Sequence, residues 1–130
     1  MGKMVAFSVA LVLFAFSTTS LGRHHSISIK VDRKNPVTLQ GTVRQFLLEN
    51  PHARLVVDVK DANGKITTWT IEGGPVRGFV FMGFTEATLP PGQAVTVVAY
   101  PVVGGGLTGQ LFSITLPDGK KYGGGPALLP

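Results

Sequence analysis

The chain has 130 residues, 44% of them apolar, with 12 basic against 7 acidic side chains, a formal charge of +5 and no cysteine. That length bounds it to one small domain, and the missing thiols exclude disulfides, thiolate zinc sites, iron–sulfur clusters, a lipid-modified N-terminal cysteine and a cysteine nucleophile. The charge is mild and dispersed: the only adjacent basic pairs, Arg33-Lys34 and Lys120-Lys121, fall in expected turns, which argues against nucleic acid and leaves room for weak attraction to anionic envelope polymers.

In chain order, the first element is an export signal. Lys3 precedes an apolar run from Met4 to Phe16, and Ser17-Thr-Thr-Ser-Leu-Gly22 leads into Arg23-His24-His25-Ser26. A basic start, a short apolar stretch and a small-residue exit are what the secretion machinery reads, so residues 1–22 are expected to be removed, with the cut before Arg23 or His24. The run is too short for the roughly 20 residues that cross a bilayer, so no membrane span remains after cleavage. A periplasmic or secreted protein is expected, with residues 23–122 as the folded domain and 123–130 as a flexible tail.

Beyond the leader, apolar and polar residues alternate between Gly and Pro breaks, the signature of short strands. The first runs over 37–48, with Val37, Leu39, Gly41 and Val43 in one phase and Phe46 and Leu48 in the other. A one-residue slip of this kind is what a β-bulge produces, and Gly41 permits a close approach. After Asn50-Pro51-His52, where Asn before Pro starts a turn, a second strand turns Leu55, Val57 and Val59 inward and Arg54, Asp58 and Lys60 outward. Asn63-Gly64 predicts a type I′ hairpin into a third strand over 66–72, with Trp69 and Ile71 inward.

Pro75 suits a first helical position; Val76, Phe79 and Val80 fall at i, i+3 and i+4, and Gly83 is placed to stop a short helix. Leu89-Pro90-Pro91-Gly92-Gln93 is a tight turn into a fourth strand with Val95, Val97 and Ala99 in one phase. Gly104-Gly105-Gly106 connects to a fifth over 108–116, where Leu111 or Phe112 joins Ile114 and Leu116 in the core. Three strands, a short helical link and two more strands predict a mainly β, five-stranded Greek-key barrel of the oligonucleotide/oligosaccharide-binding (OB) type. A two-sheet sandwich needs about seven strands, and only five are legible, with one short flanking strand around Ser26 to Val31.

The residues also resemble a family of small exported bacterial proteins grouped only as a domain of unknown function. The landmarks are His24-His25-Ser26, Val37-Thr-Leu-Gln-Gly-Thr-Val43 with Phe46, Asn50-Pro51-His52, Trp69 and Glu72, Gly83-Phe84, Leu89-Pro-Pro-Gly92, Val95-Thr-Val97 and Ser113-Ile-Thr-Leu-Pro-Asp-Gly119. The resemblance implies a periplasmic or secreted small β-barrel and brings no established activity. The chain departs from the pattern at Leu48, Phe81 and Val103-Gly104, where relatives tend to carry a Trp, an Arg and a charged pair.

Candidate chemistry rests on the three histidines, His24, His25 and His52, since imidazole suits copper, nickel and zinc. Adjacent histidines in an extended segment point to opposite sides, but cleavage before Arg23 puts His25 third, where the new amine, two backbone nitrogens and the imidazole form a square-planar site suited to copper(II). Cleavage before His24 makes its amine and imidazole a chelate, with His52 as a further nitrogen. No carboxylate or thiol spacing supports such a site, and a solvated His-His start with a loop histidine that satisfies a backbone carbonyl is the simpler reading.

The other candidate is a ligand face on the second and third strands: Asn50, His52, Arg54, Trp69 and Glu72, flanked by the loops 50–54 and 104–106, for a protein, glycan or small-ligand partner. The large aromatics are expected mainly in the core, with Phe81 or Tyr100 left at the surface. No Gly-x-Ser-x-Gly elbow, Walker loop, His-Glu-x-x-His or dinucleotide fingerprint occurs, and Asp58 beside Lys60 makes no acid–base pair with Glu72, so no catalytic residue is expected.

Overall fold

A computed structural model describes residues 29–124. The expected leader, the expected cleavage region with His24 and His25, and the end of the expected tail lie outside the described residues. The elements are β1 (Val37–Leu47), β2 (Arg54–Lys60), β3 (Ile66–Glu72), α1 (Val76–Phe81), β4 (Ala94–Pro101), β5 (Thr108–Thr115) and β6 (Lys121–Gly123). The sheet order is β3-β2-β1-β4-β5-β6, and a parallel pairing of β3 with β5 closes the first five strands into the OB-type barrel that the strand order predicts. No helix among the described residues is long and apolar enough to cross a membrane.

β1 does the double work its phase slip implies. Val37 to Thr42 pair with β4, and Thr42 to Leu47 pair with β2, with the register shifting between Val43 and Gln45. The bulge therefore keeps Leu39, Val43 and Phe46 all buried despite their odd spacing. Gly41 lies where the strands press closest: a Cβ there would sit 2.2 Å from the Asp58 carbonyl oxygen. A second bulge opposite Val98 and Ala99 settles the β5 alternative, because Leu111 and Ile114 face the core while Phe112 packs outside against Tyr100.

The α1 stop is built as its glycine implies. Gly83 takes φ 84°, its N–H donates to the Val80 carbonyl, and the Phe84 N–H donates to the Phe79 carbonyl at 2.9 Å. That pair of bonds turns Phe84 onto Phe79 at 5.4 Å between ring centroids, edge to face, and Phe46 joins both. Only Phe79 of the helix is buried; Val80, expected on the same face, is 57% exposed, because a helix this short turns a single large side chain to the barrel. Phe81 is 91% exposed, as expected.

Two local expectations need correction. The β2–β3 connection is not a type I′ turn, since Gly64 alone has positive φ; Asp61 accepts at its carboxylate from the Asn63 and Lys65 N–H groups and at its carbonyl from Gly64. This makes a three-residue loop ending in a left-handed glycine. Gly123, expected to open a tail, instead ends β6, which pairs with β5 and brings Tyr122 onto Phe84 at 4.5 Å. A short sixth strand thus covers the β5 edge. Of the flanking strand expected around Ser26 to Val31, the described part makes one bridge, Val31 to Val102.

Candidate functional site

Alternation on the barrel wall sends every second side chain outward, and the β3–β5 seam brings two such rows together. Arg54 lies opposite Glu72, Glu72 opposite Gln110 and Gln110 opposite Tyr100, while Thr70 stands between Val56 and Thr108. The loop before β2 is pinned by Ala53, which is bonded through its N–H to the Gly74 carbonyl and through its carbonyl to the Gly73 N–H. That clamp fixes His52 beside Glu72. The Asn50–Pro51 peptide is cis.

On the opposite side, the β4–β5 loop folds on itself. Thr108 Oγ1 donates to the Gly105 carbonyl at 2.8 Å, and the Val102 N–H donates to the Thr108 carbonyl. The N-terminal segment runs antiparallel to the end of β4, with the Asp32 N–H on the Pro101 carbonyl and the Val103 N–H on the Lys30 carbonyl. Ile29 is thereby carried to the seam. The result is a groove of about 440 Å³ lined by Ile29, His52, Arg54, Thr70, Glu72, Val102 and Thr108 to Gln110. This lies within the roughly 300–1,000 Å³ of small-ligand sites. An adjoining hollow of about 370 Å³ shares His52, Arg54, Thr70 and Glu72 and adds Glu49, Asn50 and Pro51.

Two side-chain pairs stand here. His52 Nδ1 meets Glu72 Oε1, and Arg54 Nη2 donates to Glu49 Oε1. Between them stand neutral groups of opposite sense. The Thr70 hydroxyl has no partner among the described residues, Thr108 Oγ1 keeps acceptor capacity after donating, and Gln110 has its oxygen engaged by Arg33 with its amide N–H groups left over. Ile29 and Val102 add apolar surface on one wall.

Four of the five candidate ligand residues, Asn50, His52, Arg54 and Glu72, are brought together. Trp69 is not: it alternates with Thr70 and Glu72, pairs with Val57 and packs against the core, so the pleat removes it from the groove. The glycines 104–106 do not line the groove either; Val102 and Thr108 at the loop ends do. Thr70 shares the outward phase of Glu72 and was findable from that signal alone, whereas Ile29, Thr108 and Gln110 arrive through barrel closure and the N-terminal bridge. Of the candidate metal ligands, His52 is described and His24 and His25 are not, and no cluster of three His, Asp or Glu occurs among the described residues. Asp58 lies outside the groove, where the Thr68 hydroxyl and then Arg44 hold its carboxyl below the usual range.

No curated protein and no solved structure matches the chain. Residues 12–111 match the family of unknown function DUF6152, and the chain belongs to that family.

Proposed function

We propose that the protein is exported to the periplasm or beyond, loses residues 1–22, and acts there as a non-enzymatic binding module whose seam groove takes a polyhydroxylated ligand, a saccharide. The observation that carries this reading is the groove's composition: donors and acceptors alternate over Thr70, Thr108, Gln110 and Glu72 beside the apolar Ile29 and Val102. Sugar hydroxyls donate and accept at once, and their C–H faces suit an apolar wall. The ionic groups support the same reading, because a charged ligand at His52 or Arg54 would have to displace Glu72 or Glu49 from an existing pair.

Saturation-transfer NMR of the exported protein with galactotriose and with trigalacturonate tests this. Transfer to at least one trisaccharide, lost in Glu72→Ala with the fold retained, is expected; transfer to neither contradicts it. Intact mass of the exported protein checks the processing, with the new terminus at Arg23 or His24.

A second reading, copper binding, is favoured by one feature. The Glu72 carboxylate holds His52 through Nδ1 and leaves Nε2 open, the arrangement by which carboxylates orient metal-binding imidazoles. The remaining ligands would be the new amine, His24 and His25. Calorimetry with copper(II) on the processed protein and on its His24/His25/His52→Ala variant separates the readings: equal weak heats dismiss the metal.

A further inference from the structure

Arg33 stands beside the groove, outside its lining, held on Gln110 and Tyr100. Its Nη2 donates to Gln110 Oε1 at 2.8 Å, and its guanidinium lies 5.1 Å from the centre of the Tyr100 ring. Tyr100 is braced in turn by Phe112, with centroids 5.4 Å apart. An amide and an aromatic face therefore orient this cation, and among the described residues it has no carboxylate partner, while Arg44, His52 and Arg54 each have one. The acid beside it is engaged elsewhere. Asp32 accepts from the Asn35 side chain and from the backbone N–H groups of Lys34 and Asn35. Those bonds, the Asn35 side chain foremost, hold its carboxyl below the usual range. Gln110 itself lines the groove, so Arg33 is one hydrogen bond away from whatever lies there.

Building on the saccharide reading of the groove, we infer that Arg33 and Gln110 together form a specificity-determining carboxylate site, so that the preferred ligand is an acidic oligosaccharide of the uronate type. The guanidinium edge left open beyond Gln110 has the fork geometry that carboxylates match, and stacking on Tyr100 fixes it before the ligand arrives. One guanidinium matches one carboxylate. Lys30 and Lys34, exposed on the same segment, add diffuse attraction that salt screens.

Calorimetry of the exported protein with trigalacturonate and with its fully methyl-esterified form provides the test, in native protein, Arg33→Gln and Arg33→Lys, with circular dichroism checking the fold of each variant. Native protein is expected to prefer the acid by roughly tenfold. Arg33→Gln should erase that preference, read as the ratio of acid to ester affinity within each protein, and Arg33→Lys should keep only part of it. Equal affinity of native protein for acid and ester, or an acid preference that survives Arg33→Gln, overturns the carboxylate site and leaves the groove reading standing. Binding of neither form overturns both, and binding of triglutamate in place of either sugar overturns the saccharide class.

Discussion

The two faces of one barrel wall obey different rules. Along β2, β3 and β5 the inward residues Leu55, Val57, Ile71, Leu111 and Ile114 are buried to 1% exposure or less, while their immediate neighbours Arg54, Thr70, Glu72 and Gln110 face the groove. The first set holds the fold by apolar burial without any disulfide; the second meets solvent and is free to carry chemistry. Stability and binding are thus separated by a single step along the chain, and substitutions one residue apart should act on one property without the other.

The sharpest contrast is Ile71→Ala against Thr70→Val. Ile71 is fully buried, and its truncation is expected to lower unfolding free energy by about 2–5 kcal/mol in denaturant titration. Thr70→Val, next to it, should stay within about 0.5 kcal/mol of native while weakening saccharide binding. Equal effects on stability would break the comparison. Gly41→Ala comes next: its Cβ cannot share space with the Asp58 carbonyl, so a loss of about 1–3 kcal/mol is expected, and an unchanged midpoint would show that the β1–β2 contact is looser than described.

Ser113 sharpens the rule for the inner face. Its buried hydroxyl has no partner among the described residues, so Ser113→Ala should raise stability by on the order of 1 kcal/mol, and a clear loss would reveal a bonded hydroxyl. The smallest effect is electrostatic. Thr68 and Arg44 depress the Asp58 pKa in the folded state, so its contribution is present above the unfolded value and fades as pH falls through the folded one. Asp58→Asn should therefore lower stability slightly near neutrality, with the difference from native vanishing as pH falls through the folded pKa, so that the acid limb flattens; an unaltered acid limb would contradict the assignment.

What could be read in advance follows the same division. The inward rows were legible because pleating has a fixed period of two, and even the phase slip between Val43 and Phe46 marked the bulge correctly. Gly83 as the helix stop was legible because only a left-handed residue fits there. The hairpin was misjudged because the Asp61 carboxylate, not the Asn-Gly pair, organises the loop. β6 has too few residues to show a period.

A third of the groove lining could be read from local signals, namely His52, Arg54 and Glu72, with Asn50 in the adjoining hollow, all near the end of one hairpin. The rest depends on which strand closes the barrel and where the N-terminal segment docks, long-range events without a local signature. Trp69 fell out of the site by the same pleat that kept Glu72 in it.

Amide N–H correlation spectra of the protein, recorded while trigalacturonate is titrated in, test the central claim most directly. The account expects shifts concentrated at Thr70, Glu72, Thr108, Gly109, Gln110 and Arg33, with α1 and the 61–65 loop unmoved. Shifts centred on Phe81 and α1, or none at the β3–β5 seam, would contradict it.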